Sequence, residues 1–438
     1  MATQTENETD HLHNTFATSN RTPPRRRVPF SHGFRALRVR NYRLYWSGQL
    51  ISMTGSWMQT TAQAWLVLQL APESPLALSL VTVLQFLPVL LLSLFGGAIA
   101  DLFPKRRLLL VTQSIAMARA FVFGLLVASG LIQIWQVYLL ALLQGLINAV
   151  DNPTRQAFAV ELVGRETVVN AVALNSVTFN LARVLGPALA GVMIAHLGVA
   201  PVLFINAISF LAVIIGLLLM NPAQFFAAPR ETEGRLLARV WEGLSYAWRT
   251  PQVLAVLLIV AIIGTFGYNL TLLVPLIAGF VLHTDAAGFG TLSACLGLGS
   301  VAAALLTAYA QRVTMQRVAV GAGAFSLILG GLALSTSFPL SALLLTALGL
   351  AGITFSTSAN TLIQVIVPDH LRGRVMSLYV LLFAGSTPIG SLFIGTLSNH
   401  IGVTPTLLIC AAICLLGVLA GQLYYRANGG AATPQALR

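Results

Sequence analysis

Apolar stretches of about twenty residues, separated by short polar connections, recur along the chain. A helix needs roughly 20 apolar residues to cross the hydrocarbon core of a bilayer. We therefore predict twelve transmembrane spans, six on each side of a polar segment at residues 221–252. The spans lie near residues 44–69, 76–99, 108–130, 134–151, 171–195, 200–220, 253–281, 287–310, 317–337, 339–362, 375–398 and 404–425.

The two sets of six spans carry related sequences. HLGVAP at residues 196–201 follows the fifth span, and HIGVTP at residues 400–405 follows the eleventh. Likewise NPTRQAFAV at residues 152–160 follows the fourth span, and NTLIQVIVP at residues 360–368 follows the tenth. Repeats in the same order and orientation indicate two parallel bundles with a cavity between them near the midplane. The predicted fold is an all-α membrane protein with twelve transmembrane helices in two pseudo-symmetric six-helix bundles.

The pattern divides the chain into five parts. Residues 1–42 are polar, contain the basic run PPRRR and predict a disordered cytoplasmic tail. Residues 43–220 and 253–426 form the two bundles. Between them, residues 221–252 alternate apolar and charged side chains at helical spacing, which predicts an amphipathic cytoplasmic linker. Residues 427–438 form a second cytoplasmic tail.

Composition and charge placement support this topology. The chain is 56% hydrophobic and only 9% charged, whereas soluble domains carry roughly 25% charged residues. With the N-terminus inside, all but two of the 25 Lys and Arg residues fall on the inner side, and the outer loops carry Glu73 and Asp285. Basic residues are retained on the cytoplasmic side of membrane proteins. The topology explains the net charge of +12 without a nucleic-acid partner and places both termini in the cytoplasm.

The two exceptions, Arg119 and Arg183, fall inside the third and fifth spans. A charge at the bilayer centre costs about 2.5–3.5 kcal/mol even on the most lenient scale. Each arginine must therefore face a cavity or a partner, and no acid lies at matching depth in the sequence. We expect Arg183 to face the cavity and Arg119 to form structural hydrogen bonds. Either the cavity is wet, or its substrate carries negative or strongly polar groups.

Further polar residues inside the spans must point away from lipid. They line the cavity or form hydrogen bonds between helices. The aromatic residues Trp57, Trp65 and Phe86 either stack on a flat ligand or anchor the helices. The polar candidates for the cavity are Gln59, Gln63, Gln144, Asn148, Asn180, Tyr268, Asn269 and Asn360.

The sequence offers no catalytic or metal centre. Cys295, Cys410 and Cys414 lie inside apolar runs, where we expect them to be packing residues. The seven histidines are scattered without clustered carboxylates. We expect no enzymatic activity, no metal and no cofactor.

Two motifs resemble those of the major facilitator superfamily. Between spans two and three, Gly97, Asp101, Lys105 and Arg106 match its Gly-x-x-x-Asp signature with late basic residues, although Leu102 and Pro104 depart from it. In span five, small residues keep the spacing of the superfamily's Gly-Pro antiporter motif, at Ala182, Gly186, Pro187 and Gly191. In span four, the Arg that this superfamily places before Gln-Gly is replaced by Ala141, so no proton role is carried over there.

Within that superfamily, the chain resembles the drug:proton antiporter family of the enterobactin-exporter and macrolide-efflux type. FRALRVRNYRLYWSGQL, DNPTRQAFAVELV and NTLIQVIVPDHLRGRVMSLY carry the resemblance, which covers nearly everything after residue 33. The resemblance implies a monomeric exporter of drugs, macrolide-like compounds or siderophores across the bacterial inner membrane. It further implies alternating access driven by proton antiport. An importer or a non-transporting receptor on the same fold is the alternative.

The resemblance also implies roles for the motif residues. Asp101 would approach the helix N-terminus at Arg374, and Lys105 would reach Asp151. Both contacts would exist only when the cytoplasmic side is closed, and they would form a gate there together with Gly97 and Arg106. The Gly-Pro motif would pack span five against its partner in the other half.

Overall fold

The computed structural model describes residues 35–164, 167–226, 236–308 and 313–428. Over these ranges the regular structure is helical, with fifteen α-helices, two 3-10 turns and one π turn. Most of the expected N-terminal tail and nearly all of the C-terminal tail lie outside the described residues.

The first half contains six long helices. Among the described residues, eleven helices or broken helices are long and apolar enough to cross a membrane, and five of them belong to this half. The helices are α1 (Arg40–Leu70), α2 (Pro75–Leu102), α3 (Lys105–Ala128), α4 (Ile134–Val163), α5 (Val168–Leu197) and α6 (Val199–Leu219).

The second half repeats this arrangement after a linker helix, α7 (Leu236–Arg249). Two of its six spans are broken, the first by a π turn at Ile263–Gly267 and the fifth between α13 and α14. The helices are α8 (Pro251–Ile262), α9 (Leu270–Phe280), α10 (Ala286–Ala308), α11 (Met315–Leu334), α12 (Phe338–Ile366), α13 (Asp369–Phe383), α14 (Thr387–Ile401) and α15 (Val403–Asn428).

Helix α1 is the twelfth span although it is too polar to count among the eleven. Its polar side chains are buried inside the protein rather than facing lipid, among them Gln49, Gln59 and Gln63. It packs against α5 and α6, and Gly55 permits close approach to α6, because a Cβ there would lie 2.4 Å from Ser209 Oγ. The twelve-helix fold predicted from the sequence is therefore confirmed.

The predicted end of the fourth span at residue 151 is wrong, since α4 continues to Val163. Pro153 lies inside the helix and lacks the N–H that would bond the Ala149 carbonyl. Helix α2 packs against this site, where a Cβ on Gly96 would lie 2.0 Å from Ala149 O. The helix thus passes the proline because a neighbouring helix covers the weakened turn.

The bundle has two ends with different charge. We call the end that carries Lys105, Arg155 and Arg374 the basic end, and the end that carries Glu73 and Asp285 the opposite end. The two halves pack on each other through α5 with α10 and through α2 with α14. These contacts decide which end of the molecule is closed.

Candidate substrate cavity and gates

A polar cavity of about 340 Å³ lies among the helices of the first half, beside α9. Among the described residues, the second half contributes only Thr271 and Leu272 to its wall. Small-molecule sites typically measure roughly 300–1,000 Å³. The cavity can hold a small organic molecule, and nearly all of its polar contacts would come from the first half.

Half of the predicted cavity residues lie on this wall. Gln144 Nε2 donates to Asn148 Oδ1 over 2.8 Å, one helical turn further along α4. The aromatic rings of Trp57 and Phe86 also line the space. The predicted residues on the wall are Gln59, Gln63, Arg119, Gln144 and Asn148.

Sequence reasoning missed several polar residues of the wall, among them Asn206 and Gln85. Asn206 of α6 donates from Nδ2 to Gln59 Oε1 over 2.6 Å. Gln85 of α2 donates from Nε2 to Gln63 Oε1 over 3.3 Å. Each stands as a single amide within an apolar run, VTVLQFLP for Gln85 and LFINAISF for Asn206. A single amide within an apolar run was the feature of the sequence that could have identified both residues, because a lone amide in a span must face the protein interior.

Arg119 is the only charged residue on the cavity wall among those the structure describes. Its side chain is deeply buried, with 5% of the residue exposed. Nη1 donates to Leu140 O over a long 3.4 Å, while Nε and Nη2 have no hydrogen-bond partner. Arg119 thus lines the cavity and makes one long backbone hydrogen bond, and its expected structural role stays a prediction.

Arg183 does not reach the wall of this cavity. It borders a smaller neighbouring space of about 50 Å³ between α1, α5, α9 and α10. The two spaces share Trp57, Thr60, Ala64 and Thr271 as lining residues. Both arginines thus line a cavity: Arg119 lines the larger of these two, and Arg183 lines the smaller one between the halves.

Two other candidates have structural partners within the second half. Asn269 Nδ2 donates to Thr265 O over 2.7 Å, and its Oδ1 accepts from Ser391 Oγ over 3.1 Å. The residue therefore joins the two broken spans of this half. Tyr268 packs on Phe383, with ring centroids 4.7 Å apart. Neither residue lines the cavity.

The last two candidates bond within their own helices. Asn180 Nδ2 donates to Ser176 O over 2.8 Å. Asn360 Oδ1 accepts from Gln364 Nε2 over 2.5 Å. Both pairs are four residues apart, and neither asparagine lines the cavity.

The opposite end of the bundle is closed by direct contact between the halves. A Cβ on Gly191 of α5 would lie 2.7 Å from the Cα of Gly290 in α10. Nearby, Trp65 of α1 and Phe289 of α10 stack with ring centroids 6.2 Å apart. Backbone contact of this kind requires glycine on both helices, since any side chain would separate them.

The Gly-Pro motif of α5 faces two different neighbours. A Cβ on Gly186 would lie 2.5 Å from Trp57 Cβ of α1, which belongs to the same half. The expected packing against the other half is therefore wrong for Gly186, and Gly191 makes that contact instead. Ala182 is fully buried, and Pro187 lines the smaller cavity. The small side chains let α5 pack closely on both neighbours at once.

At the basic end, the predicted gate residues Lys105 and Arg374 pair within their own half or with the linker helix. Lys105 Nζ lies 2.9 Å from Glu161 Oε1 of α4 and does not pair with Asp151 in this structure. Arg374 of α13 pairs with Glu242 of the linker helix. Among the described residues, no ion pair joins the two halves at this end.

The rest of the signature is similarly separate from the second half. Asp101 is exposed at the end of α2, and a Cβ on Gly97 would meet nothing within 4 Å. Arg106 Nε donates to Leu217 O over 2.7 Å, at the last turn of α6. A cation is favourable at a helix C-terminus, so Arg106 stabilises the first half in this state.

Asp151 lies at the centre of a buried network near the basic end. Its Oδ1 accepts from Thr112 Oγ1 over 2.6 Å and from Gln113 Nε2 over 2.8 Å. Its Oδ2 pairs with Arg155, which in turn donates to Gln49 of α1. The spacing of four residues between Asp151 and Arg155 was the signal for this pair in the sequence. Helices α1, α3 and α4 are thereby joined through one carboxylate.

Twelve helices in two halves, with a polar cavity and contact between the halves at one end, define a membrane transporter of the major facilitator fold. The chain belongs to the transmembrane secretion effector family of that superfamily, whose sequence model matches residues 31–433. Its relatives are transporters and not enzymes.

Curated relatives cover most of the chain. The staphyloferrin A transporter of Staphylococcus aureus is 26% identical, over 85% of this chain and 93% of its own length. The multidrug efflux pump Tap of Mycolicibacterium fortuitum is 28% identical, over 85% and 92%. Macrolide efflux protein A of Streptococcus pyogenes is 20% identical, over 84% and 93%.

Solved structures share the fold. A bacterial homologue of the human lysosomal transporter Spinster superposes with a TM-score of 0.70 at 12% identity, covering 90% of this chain and 99% of that one. The nucleoside transporter NupG superposes with a TM-score of 0.67 at 12% identity, covering 89% and 99%.

Proposed function

We propose that the protein exports small organic molecules across the bacterial inner membrane by alternating access, driven by proton influx. The observation that carries this proposal is the asymmetry of the two ends. The halves touch at the opposite end, while the gate residues at the basic end bond within their own half or to the linker. With the basic end in the cytoplasm, as basic residues favour, the structure is a state that loads substrate from inside.

The named functions of the relatives support export of small organic molecules. Two of them are efflux proteins, for several drugs and for macrolides, and a third is a transporter of staphyloferrin A. The cavity supports the same substrate size, because about 340 Å³ suits a small molecule.

Export requires a second state in which the basic end closes. In that state we propose that Arg374 leaves Glu242 and that Asp101 approaches the N-terminus of α13. A carboxylate at a helix N-terminus is stabilised by about 0.3–2 kcal/mol. Lys105 and Asp151 complete the gate from the first half. The closed basic end thus replaces the glycine contact at the opposite end.

Proton coupling needs an acid that changes its surroundings between the two states. Asp101 is exposed here and would be covered when the basic end closes. Asp151 is 4% exposed and would exchange partners at the same step. We propose these two carboxylates as the candidates for the coupled proton.

Flux in vesicles tests the proposal. Inside-out membrane vesicles should accumulate substrate from a panel of dyes, macrolides and siderophores when the lumen is acidified, and a protonophore should abolish this uptake. Asp101→Asn and Asp151→Asn should lose the dependence on the gradient, while Glu73→Gln, in a loop at the opposite end, should keep it. Uptake only by right-side-out vesicles would identify an importer, and no flux in either orientation would favour a receptor.

A further inference from the structure

The cavity of about 340 Å³ combines a positive charge with no acid among the described residues of its wall. Arg119 is the one charged residue among the described lining residues. An arginine does not lose its proton in proteins, and a buried charge is costly unless it is paired. The guanidinium of Arg119 is thus buried in the bundle, and no described residue forms an ion pair with it.

The buried side-chain atoms of the described wall that lack a hydrogen-bond partner are all donors. Arg119 Nε and Nη2 are buried without partners, and so is Gln63 Nε2. Gln63 Oε1, Gln59 Oε1 and Asn148 Oδ1 accept hydrogen bonds from neighbouring amides. Buried donors without partners are rare in native proteins, and an acceptor in the cavity would satisfy these donors once their side chains turn toward it.

We propose that the substrate is an organic anion and that Arg119 binds its carboxylate. A carboxylate matches the planar guanidinium, which can bind two oxygens through parallel N–H donors. The donor Gln63 Nε2 on α1 and the rings of Trp57 and Phe86 would contact the rest of the molecule. This inference rests on the proposed export function and adds the charge of its substrate.

The same wall disfavours cations. A cationic drug would enter a low-dielectric cavity that already holds one positive charge and, among its described lining residues, no carboxylate. Like charges repel, and the repulsion is weakly screened where water is excluded. Substrates that differ only in charge should therefore be distinguished.

Binding to the purified protein tests the proposal without depending on flux. Fluorescein and rhodamine 123 share a xanthene ring system but carry opposite charge, so fluorescence anisotropy with both probes compares an anion with a cation of similar size. We expect fluorescein to bind more tightly than rhodamine 123. Arg119→Gln should weaken fluorescein by about 10- to 100-fold, which is the range expected for a hydrogen bond to a charged group, and Arg119→Lys should keep part of the affinity. Arg107→Gln removes an exposed charge from the same helix and should leave binding unchanged.

A stability measurement separates a binding role from a structural one. Because one 3.4 Å bond is all that holds the Arg119 guanidinium, Arg119→Gln should not lower the unfolding midpoint in detergent. The proposal is overturned by tighter binding of rhodamine 123, by no binding of fluorescein, or by wild-type affinity in Arg119→Gln. It is also overturned if Arg119→Gln and Arg119→Lys both unfold more readily. Vesicle flux that persists beside any of these results would leave the export function intact.

Discussion

The glycine contact between α5 and α10 should set the balance between the two states. In Gly191→Val, the new Cβ would lie 2.7 Å from Gly290 Cα and 2.9 Å from Ala286 O. Ordinary contact begins at 3.4 Å, so the helices must separate by about 0.7 Å or more. Both close neighbours are backbone atoms, which cannot rotate away. Overpacking of this kind costs about 1–3 kcal/mol. The cost destabilises the state that is closed at the opposite end.

This destabilisation should produce a measurable change in the populations of the two states. A difference of 1–3 kcal/mol shifts an equilibrium by about 5- to 150-fold. The reporter is Thr60→Cys on the cavity wall, in a protein whose cysteines at 295, 410 and 414 are replaced by alanine. A membrane-impermeant maleimide applied from the periplasmic side should label it slowly in the parent protein. Labelling should accelerate in Gly191→Val.

The control is the same substitution at Gly323 of α11, where a Cβ would meet nothing within 4 Å. Gly323→Val should label like the parent. Equal labelling of Gly191→Val and Gly323→Val would refute the assignment of this contact as the closed gate.

Three further predictions concern the gate, the buried network and the span-five motif. Asp101→Asn should lower transport by about 2- to 30-fold in vesicles, since the closed basic end loses a helix N-terminal contact. Glu242→Gln should favour closure of the basic end, because it frees Arg374. Equal periplasmic labelling of the cavity cysteine in both variants would argue against the gate. Arg155→Gln should lower the stability by up to about 3 kcal/mol, because Asp151 is left buried without its cation, and the double variant with Asp151→Asn should recover part of the unfolding midpoint; an unchanged midpoint in the single variant contradicts the network. Gly186→Val should reduce both stability and transport, by about 1–3 kcal/mol in unfolding, and wild-type values would show that the close approach to α1 is not needed.

The helices were predictable because length and hydropathy determine them. A span must hide its backbone from lipid over roughly 20 residues, and this pattern survives loose boundaries. Helix α1 shows where hydropathy alone is weak: buried amides such as Gln59 lower its apolar character although it lies inside the bundle. Helix α4 shows the other limit, since the effect of Pro153 depends on a neighbour that the sequence does not place.

Side-chain partners were less predictable than spans. Arg119 and Arg183 have the same sequence signature, a lone charge within an apolar run, and only the rotation of each helix decides which cavity each one faces. Helix α4 offers two acids as possible partners of Lys105, Asp151 and Glu161. Lys105 pairs with Glu161 in this structure. Gate contacts depend in addition on the state of the molecule. The sequence lists possible partners for all states, and one structure shows those of a single state.

The central claim is that the molecule alternates between a state closed at the opposite end and a state closed at the basic end. The distance between the two halves at the basic end tests this claim most directly. Spin labels at Phe103, in the α2–α3 connection, and at Gly373 of α13 occupy exposed or uncrowded positions on different halves. Pulsed electron–electron double resonance should give a long distance between the two labels in the parent protein. In Gly191→Val, a larger fraction of the molecules should show a shorter distance between the labels. One unchanged distance in both proteins, or a shift to longer distances, would contradict alternating access through this cavity.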